Sequence, residues 1–200
     1  TLKYTGGNKV MIHNPILPGF HADSCICRKG DDFYVAVSSF EWFPGIPIYH
    51  SKDMKNWELY SHALTNADDS DLKKLPSAKG IWAPHLTKHG DYYYIMCAEG
   101  DTGYYHSVTM GRSKNVYGPY EADPCNPILT SAPGNYNERA DWDHLKPRYY
   151  NPESKLQKSG HASYVDLPNG ETWMVHLTSR PFVPELRCTL GRETAIQRMK

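Results

Sequence analysis

The chain has 200 residues and a mass of 22.8 kDa, with 22 basic and 22 acidic side chains, a formal charge of zero and a pI of about 7.1. That length supports one domain with a sizeable core. The balanced charge gives no electrostatic footprint for nucleic acid or an anionic membrane, and no apolar run approaches the ~18 residues of a transmembrane helix.

Taken in chain order, residues 1–10 (TLKYTGGNKV) show neither a basic region nor an apolar core of a secretory leader. A cytoplasmic protein is the expectation, with secretion left open because the chain does not begin with Met. A first strand at 24–28 turns at Gly30-Asp31 into an aromatic and β-branched strand from Phe33, followed by strands at 46–52 and 57–62. Residues 69–75 make at most one helical turn. The same order then recurs: a strand at 85–88, a turn at Gly90-Asp91, an aromatic strand from Tyr92, and strands at 106–114 and 117–122. A third copy starts at 162–167, turns at Gly170-Glu171 and enters an apolar strand at Trp173.

A Gly-acidic turn leading into an aromatic strand, three times over, is an internal repeat of four-stranded antiparallel meanders. The fold class expected is all-β, a β-propeller built of such blades. The blades fall at 21–65, 82–130 and, in part, 159–200, with an insertion loop at 131–158, all within a single partial propeller domain spanning 1–200. The opening ten residues could add an outer strand. Propellers close with about four to eight blades, so three leave the ring open. Either another copy or a complementary fragment supplies the rest, or the chain is shortened. Five cysteines (Cys25, Cys27, Cys97, Cys125, Cys188) cannot all pair. With no CxxC or zinc spacing among them, buried reduced thiols are expected.

The start of each innermost strand points into a propeller's channel. His21-Ala22-Asp23, Trp82-Ala83-Pro84-His85 and Gly160-His161-Ala162 occupy those positions. One carboxylate among imidazoles and an indole is the make-up of a sugar site, where rings stack on pyranose faces and charged groups move protons. Residues that merely satisfy the backbone at blade edges would read the same way. The insertion carries Tyr136, Trp142, Asp143, His144, Arg148 and Tyr149, which suit either a polysaccharide grip over the channel or a solvated loop.

Residues 14–23 (NPILPGFHAD), 38–48 (SSFEWFPGIPI) and 50–53 (HSKD) resemble the opening blade of glycoside hydrolase family 43, closest to its β-xylosidase and α-arabinofuranosidase-like members. Residues 92–102, 106–109, 118–120, 126–130, 160–162, 180–181 and 190–194 resemble later parts of that family in the same order. The resemblance implies a five-bladed propeller and inverting hydrolysis of arabinoxylan-type glycosides. Inversion uses an Asp base and a Glu acid about 6.5–9.5 Å apart.

Carried over by position, Asp23 matches the general base, although both flanking prolines of the family's Pro-Asp-Pro are replaced. Trp42 and Phe43 match the sugar-stacking aromatics. His21 and Trp82 are expected to contact substrate. His161 resembles a channel histidine that touches water, metal or sugar, and Arg180 an arginine that reaches a sugar hydroxyl. The resemblance requires no cofactor, and a structural Ca2+ in the channel is the one metal it allows. The expected partner is a pentose-containing oligosaccharide.

The family's Glu-(Gly/Ala)-Pro-His acid motif is replaced by Trp82-Ala83-Pro84-His85. The Trp-Ala-Pro piece looks like the second blade, and the residues after it look like the fourth. A splice at about 84–87 therefore omits roughly two blades, and with them the acid. Glu99, Glu41 and Glu193 are poor substitutes: Glu99 is expected to hold a neighbouring group, and Glu193 to pair with Arg192. Asp31, Asp91 and Glu171 are turn residues. A chain without its acid is expected to be nearly inactive. The competing readings are a non-catalytic sugar-binding module and a self-associating propeller fragment.

Overall fold

The structure, a computed structural model, describes residues 11–73, 75–100, 106–130, 154–182, 184–185, 187–188 and 192–199. The outer strand expected at 1–10 and nearly all of the insertion loop lie outside the described residues.

Strands β1 (Cys25–Lys29), β2 (Asp32–Ala36), β3 (Gly45–Ser51) and β4 (Glu58–Leu64) pair in that order as an antiparallel meander. A second sheet comprises β5 (Gly80–His89), β6 (Tyr92–Gly100), β7 (Ser107–Ser113), β8 (Glu121–Ala122) and β9 (Leu129–Thr130). The third contains β10 (Gln157–Asp166), β11 (Thr172–Ser179) and β12 (Glu193–Arg198). There is no helix among the described residues. The repeated turn has a local cause. Lys29 pairs with Asp32 and His89 with Tyr92, leaving two-residue hairpin loops. Gly30 and Gly90 occupy the first loop position at φ 63° and 56°, which other residues adopt only with strain.

The three sheets stack face to face, with the second in the middle. Alternation along β6 sends Tyr93, Ile95 and Cys97 into a core shared with Tyr34, Ala36, Ile46 and Ile48 of the first sheet. Met96, one residue out of phase, joins Ala162 and Met174 of the third. Gly160 makes the second contact possible at its tightest point. A Cβ there would stand 3.0 Å from the Ala98 Cβ, so the sheets meet over a bare backbone.

Two expectations are corrected. The fourth strand of the second sheet is not one strand over 117–122 but two fragments, with β8 pairing the far half of β7 and β9 the near half. Asn126 fills the gap by taking the place of a strand. Its side-chain carbonyl accepts from the Met110 N–H and its amide donates to the Met110 carbonyl, both at 2.8 Å. The thiols are all unpaired, but only Cys97 is fully buried, and Cys125 is exposed. Burial pushes the Cys97 thiol up to about 12.

Candidate active site

A cleft of about 400 Å³ opens where the beginnings of the three inner strands converge. Asp23, Trp82 and His161, each from a different sheet's entry segment, line it together with Phe40, Lys79, His106 and Arg192. Ala98, Gly160 and Leu177 contribute apolar wall. Of the nine left-handed non-glycine residues among the described residues, six line this cleft: Asp23, Phe40, Ala78, Ala83, His161 and Arg192. Each such residue costs about 1–2 kcal/mol. Strain held in this way persists where surrounding structure over-determines it, and it concentrates at functional sites.

Asp23 is the one carboxylate among the described residues lining the cleft. Ser38 Oγ donates to its Oδ2 at 2.7 Å. The same hydroxyl oxygen accepts the Ala83 N–H at 2.8 Å, which turns the hydroxyl proton toward Asp23. Ser38 thus ties the first sheet, the second sheet and the carboxylate together while leaving Oδ1 for a water or ligand. Trp82 is fixed by its indole N–H donating to the Ala78 carbonyl at 3.1 Å. The His106 ring lies 4.9 Å from it, centroid to centroid.

Other sequence-derived candidates stand at different distances from this centre. Trp42 is exposed at the rim and connects to the cleft through Phe20, with ring centroids 5.7 Å apart, and then Phe40, 5.0 Å further. Phe43 lines a neighbouring surface cavity with Leu72 and Lys73. His21 hydrogen-bonds the Tyr49 hydroxyl at 2.9 Å and does not line the cleft. Arg180 does not line it either. Its guanidinium grips Glu193 through Nε and a second nitrogen at 2.6 Å. The Arg192–Glu193 pair expected from adjacency is therefore replaced by Arg180–Glu193. Arg192, which precedes β12 and holds a left-handed backbone at φ 76°, lines the cleft instead.

The carboxylates weighed as substitute acids are engaged elsewhere. Glu99 faces away from the cleft, one residue out of phase with Ala98, beside a cavity of about 60 Å³ between the first two sheets. It accepts a short hydrogen bond from Ser70, and burial raises its pKa. Glu41 accepts the Ala78 N–H at 3.0 Å.

No group of three or more His, Cys, Asp or Glu side chains is placed to hold a metal among the described residues. Ca2+ takes six to eight oxygens. A single carboxylate with one oxygen already occupied, among imidazoles, does not fit it.

Blades stacked around a cleft of rings and carboxylates are the architecture of propeller-type sugar hydrolases, and this cleft shows one such carboxylate among the described residues. The chain belongs to that class through one family: the model of Glycosyl hydrolases family 43 matches residues 12–90 and 83–200. The two matches overlap at 83–90, the part of β5 that follows Trp82 and leads into the turn before β6. Xylosidase/arabinosidase 43B of Humicola insolens is 30% identical over 93% of this chain and 52% of its own length. The β-xylosidase of Bacillus subtilis is 29% identical over 94% of this chain and 55% of its own. The first alignment runs over 299 positions, more than the chain's 200 residues, so that relative contains a stretch without counterpart here. The chain spans about half the length of the curated relatives it matches. A thermostable family-43 glycoside hydrolase of known structure superposes with a TM-score of 0.57 at 12% identity, covering 95% of this chain and 57% of its own, which establishes likeness of fold. Glycoside hydrolysis, the family's chemistry, calls for no cofactor.

Proposed function

We propose that this chain is an inverting glycosidase scaffold for xylan- or arabinoxylan-derived xylosides and arabinosides. On this reading it keeps the water-activating base and lacks the proton donor. The observation that carries the reading is Asp23 as lone carboxylate, among the described residues, in a cleft with Trp82, His106 and His161. The two-piece family match supports the loss of the stretch where the acid motif belongs. Asp23 Oδ1 takes a proton from water as the water oxygen bonds to the anomeric carbon. The electron pair of the breaking glycosidic bond leaves with the aglycone oxygen. Without an acid that oxygen departs as an alkoxide, a poor leaving group, and general acid catalysis worth about 10²–10⁴-fold is forfeited.

The chemistry supplies its own test. Fluoride and 2,4-dinitrophenolate depart without protonation, so the purified chain is expected to hydrolyse xylosyl fluoride or the dinitrophenyl xyloside. Methyl xyloside should turn over at least about 10²-fold more slowly, and Asp23→Asn should abolish the reaction. Comparable rates on methyl and dinitrophenyl xylosides would show that an acid is present. Activity that survives Asp23→Asn would remove the base.

Trp42, Phe43, His21 and Arg180 are assigned outer contacts with a pentose-containing oligosaccharide. A second copy of the chain or a complementary propeller fragment is its protein partner. The exposed Trp42–Phe20 pair favours one alternative, a non-catalytic carbohydrate-binding module. Xylooligosaccharide binding without any hydrolysis, lost in Trp42→Ala and kept in Asp23→Asn, would select it.

A further inference from the structure

Asp23 lines the cleft from an exposed position, on a left-handed backbone at φ 52°. Among the described residues a single hydrogen bond reaches its carboxylate, and that bond comes from Ser38. Ser38 is buried and fixed from two sides. Its backbone N–H donates to the Ala22 carbonyl at 3.0 Å, which docks it against the peptide that precedes Asp23. Its hydroxyl oxygen accepts the Ala83 N–H from the second sheet.

The second contact has a cause in the backbone. Phe40 and Ile81 exchange a reciprocal pair of backbone hydrogen bonds, at 2.9 and 3.0 Å, in an isolated antiparallel bridge between the first two sheets. In that register Ser38 falls opposite Ala83. Strand β5 bulges against β6 between Trp82 and His85, and Ala83 within the bulge is left-handed at φ 47°. A buried N–H must find an acceptor, and here the Ser38 hydroxyl supplies it in place of a strand carbonyl. Bulges re-aim side chains beside active sites. This one presents the Trp82 ring to the cleft and at the same time orients the hydroxyl that holds Asp23.

We propose that Ser38 is a positioning residue, which holds the Asp23 carboxylate in one orientation relative to the Trp82 ring across the junction of two blades. The inference rests on the reading of Asp23 as the base and adds what aims that base. Ser38 touches no reacting atom, so its effect passes through Asp23. An exposed aspartate without an anchor samples several χ1 wells, and a misplacement of about 1 Å at a reacting group costs on the order of 10²-fold.

Two measurements on the full chain test it. NMR couplings about χ1 of Asp23 are expected to show one rotamer in the wild type and averaging in Ser38→Ala, with an unchanged circular dichroism spectrum. Averaged couplings in the wild type, or a single rotamer retained in Ser38→Ala, would overturn the proposal with no need of turnover. On dinitrophenyl xyloside, Ser38→Ala should lower kcat roughly 10–100-fold and leave KM within about twofold. Ser38→Thr, which keeps the hydroxyl, should keep both the rotamer and kcat close to wild type. Azide needs no base: its nitrogen bonds to the anomeric carbon as the electron pair of the breaking C–O bond leaves with dinitrophenolate. In an Asp23→Ala background, adding Ser38→Ala should therefore change the azide-dependent rate by less than about twofold. An equal loss in both backgrounds would show that Ser38 only supports the fold, against the proposal. Hydrolysis that depends on Asp23 but not on Ser38 overturns this inference alone. A fixed Asp23 in a chain that hydrolyses no activated xyloside overturns the catalytic reading alone.

Discussion

Burial and hydrogen bonding give two carboxylates of this chain opposite characters. Glu99 is almost wholly enclosed, and desolvation raises its pKa against the opposing pull of hydrogen bonds from Ser70 and Thr109. The neutral acid is therefore the form the fold prefers. Its contribution to stability is fully present below the ordinary carboxylate value of about 4.3 and is lost as pH rises through the raised folded-state value. Glu99→Gln keeps a carbonyl that accepts from Ser70 and cannot ionise. The variant is expected to melt close to wild type at acid pH and progressively above it as pH rises. A melting-temperature series from pH 4 to 9 checks this, and a margin that does not widen with pH would show that Glu99 ionises freely. Asp23, held by Ser38 at the cleft, keeps one oxygen open for chemistry instead. Asp23, Trp82 and His161 were legible in the sequence because each lies near the start of the strand that leads into a repeated hairpin. Arg192 and Lys79 were not. Choosing between Arg180 and Arg192 requires knowing which of them faces Glu193, and that is fixed by how the end of β11 meets the start of β12 and by the left-handed backbone at Arg192, not by residue type.

At the level of elements, the cleft depends on how closely the second and third sheets approach. Gly160 sits in β10 against Ala98 in β6, with room for one Cβ but not two. Gly160→Ala is expected to cost about 1–3 kcal/mol by overpacking, read as a lowered urea midpoint with an unchanged slope. The compensating Ala98→Gly/Gly160→Ala pair keeps one methyl and one strand glycine, as in the wild type. It should recover most of the loss. If the two substitutions simply add, the contact does not set the spacing. The meander itself was readable, since Gly-acidic turns and period-two apolar strands are local signals. The split of the last strand of the second sheet was not, because it hinges on the Asn126 amide standing in for a strand opposite Met110, a long-range contact that no local pattern encodes.

On the scale of the whole molecule, a stack of three sheets has two outer faces, and in a closed propeller neither would see water. The outer row of the first sheet runs Ile26–Val35–Tyr49–Leu59 across four strands, with Ile26 57% and Leu59 53% exposed at its ends. The outer face of the third sheet presents Val165, Val175 and Ile196, the last 65% exposed. Apolar positions recurring in register on both faces have the character of an interface rather than of scattered surface residues. If copies of the chain associate through these two different faces, face one of one copy meets face three of the next in a heterologous contact. Such contacts close into a ring if the rotation permits and otherwise extend into open chains. Two copies of three sheets would close within the four to eight blades that propellers use. Light scattering is therefore expected to show a concentration-dependent shift from the 22.8 kDa monomer to a discrete dimer, with larger species where closure fails. Ile196→Lys and Leu59→Lys, each at one of the two faces, should both return the protein to monomer without altering its strand content. A wild-type chain that stays monomeric at high concentration would mean that both apolar rows are covered within one copy.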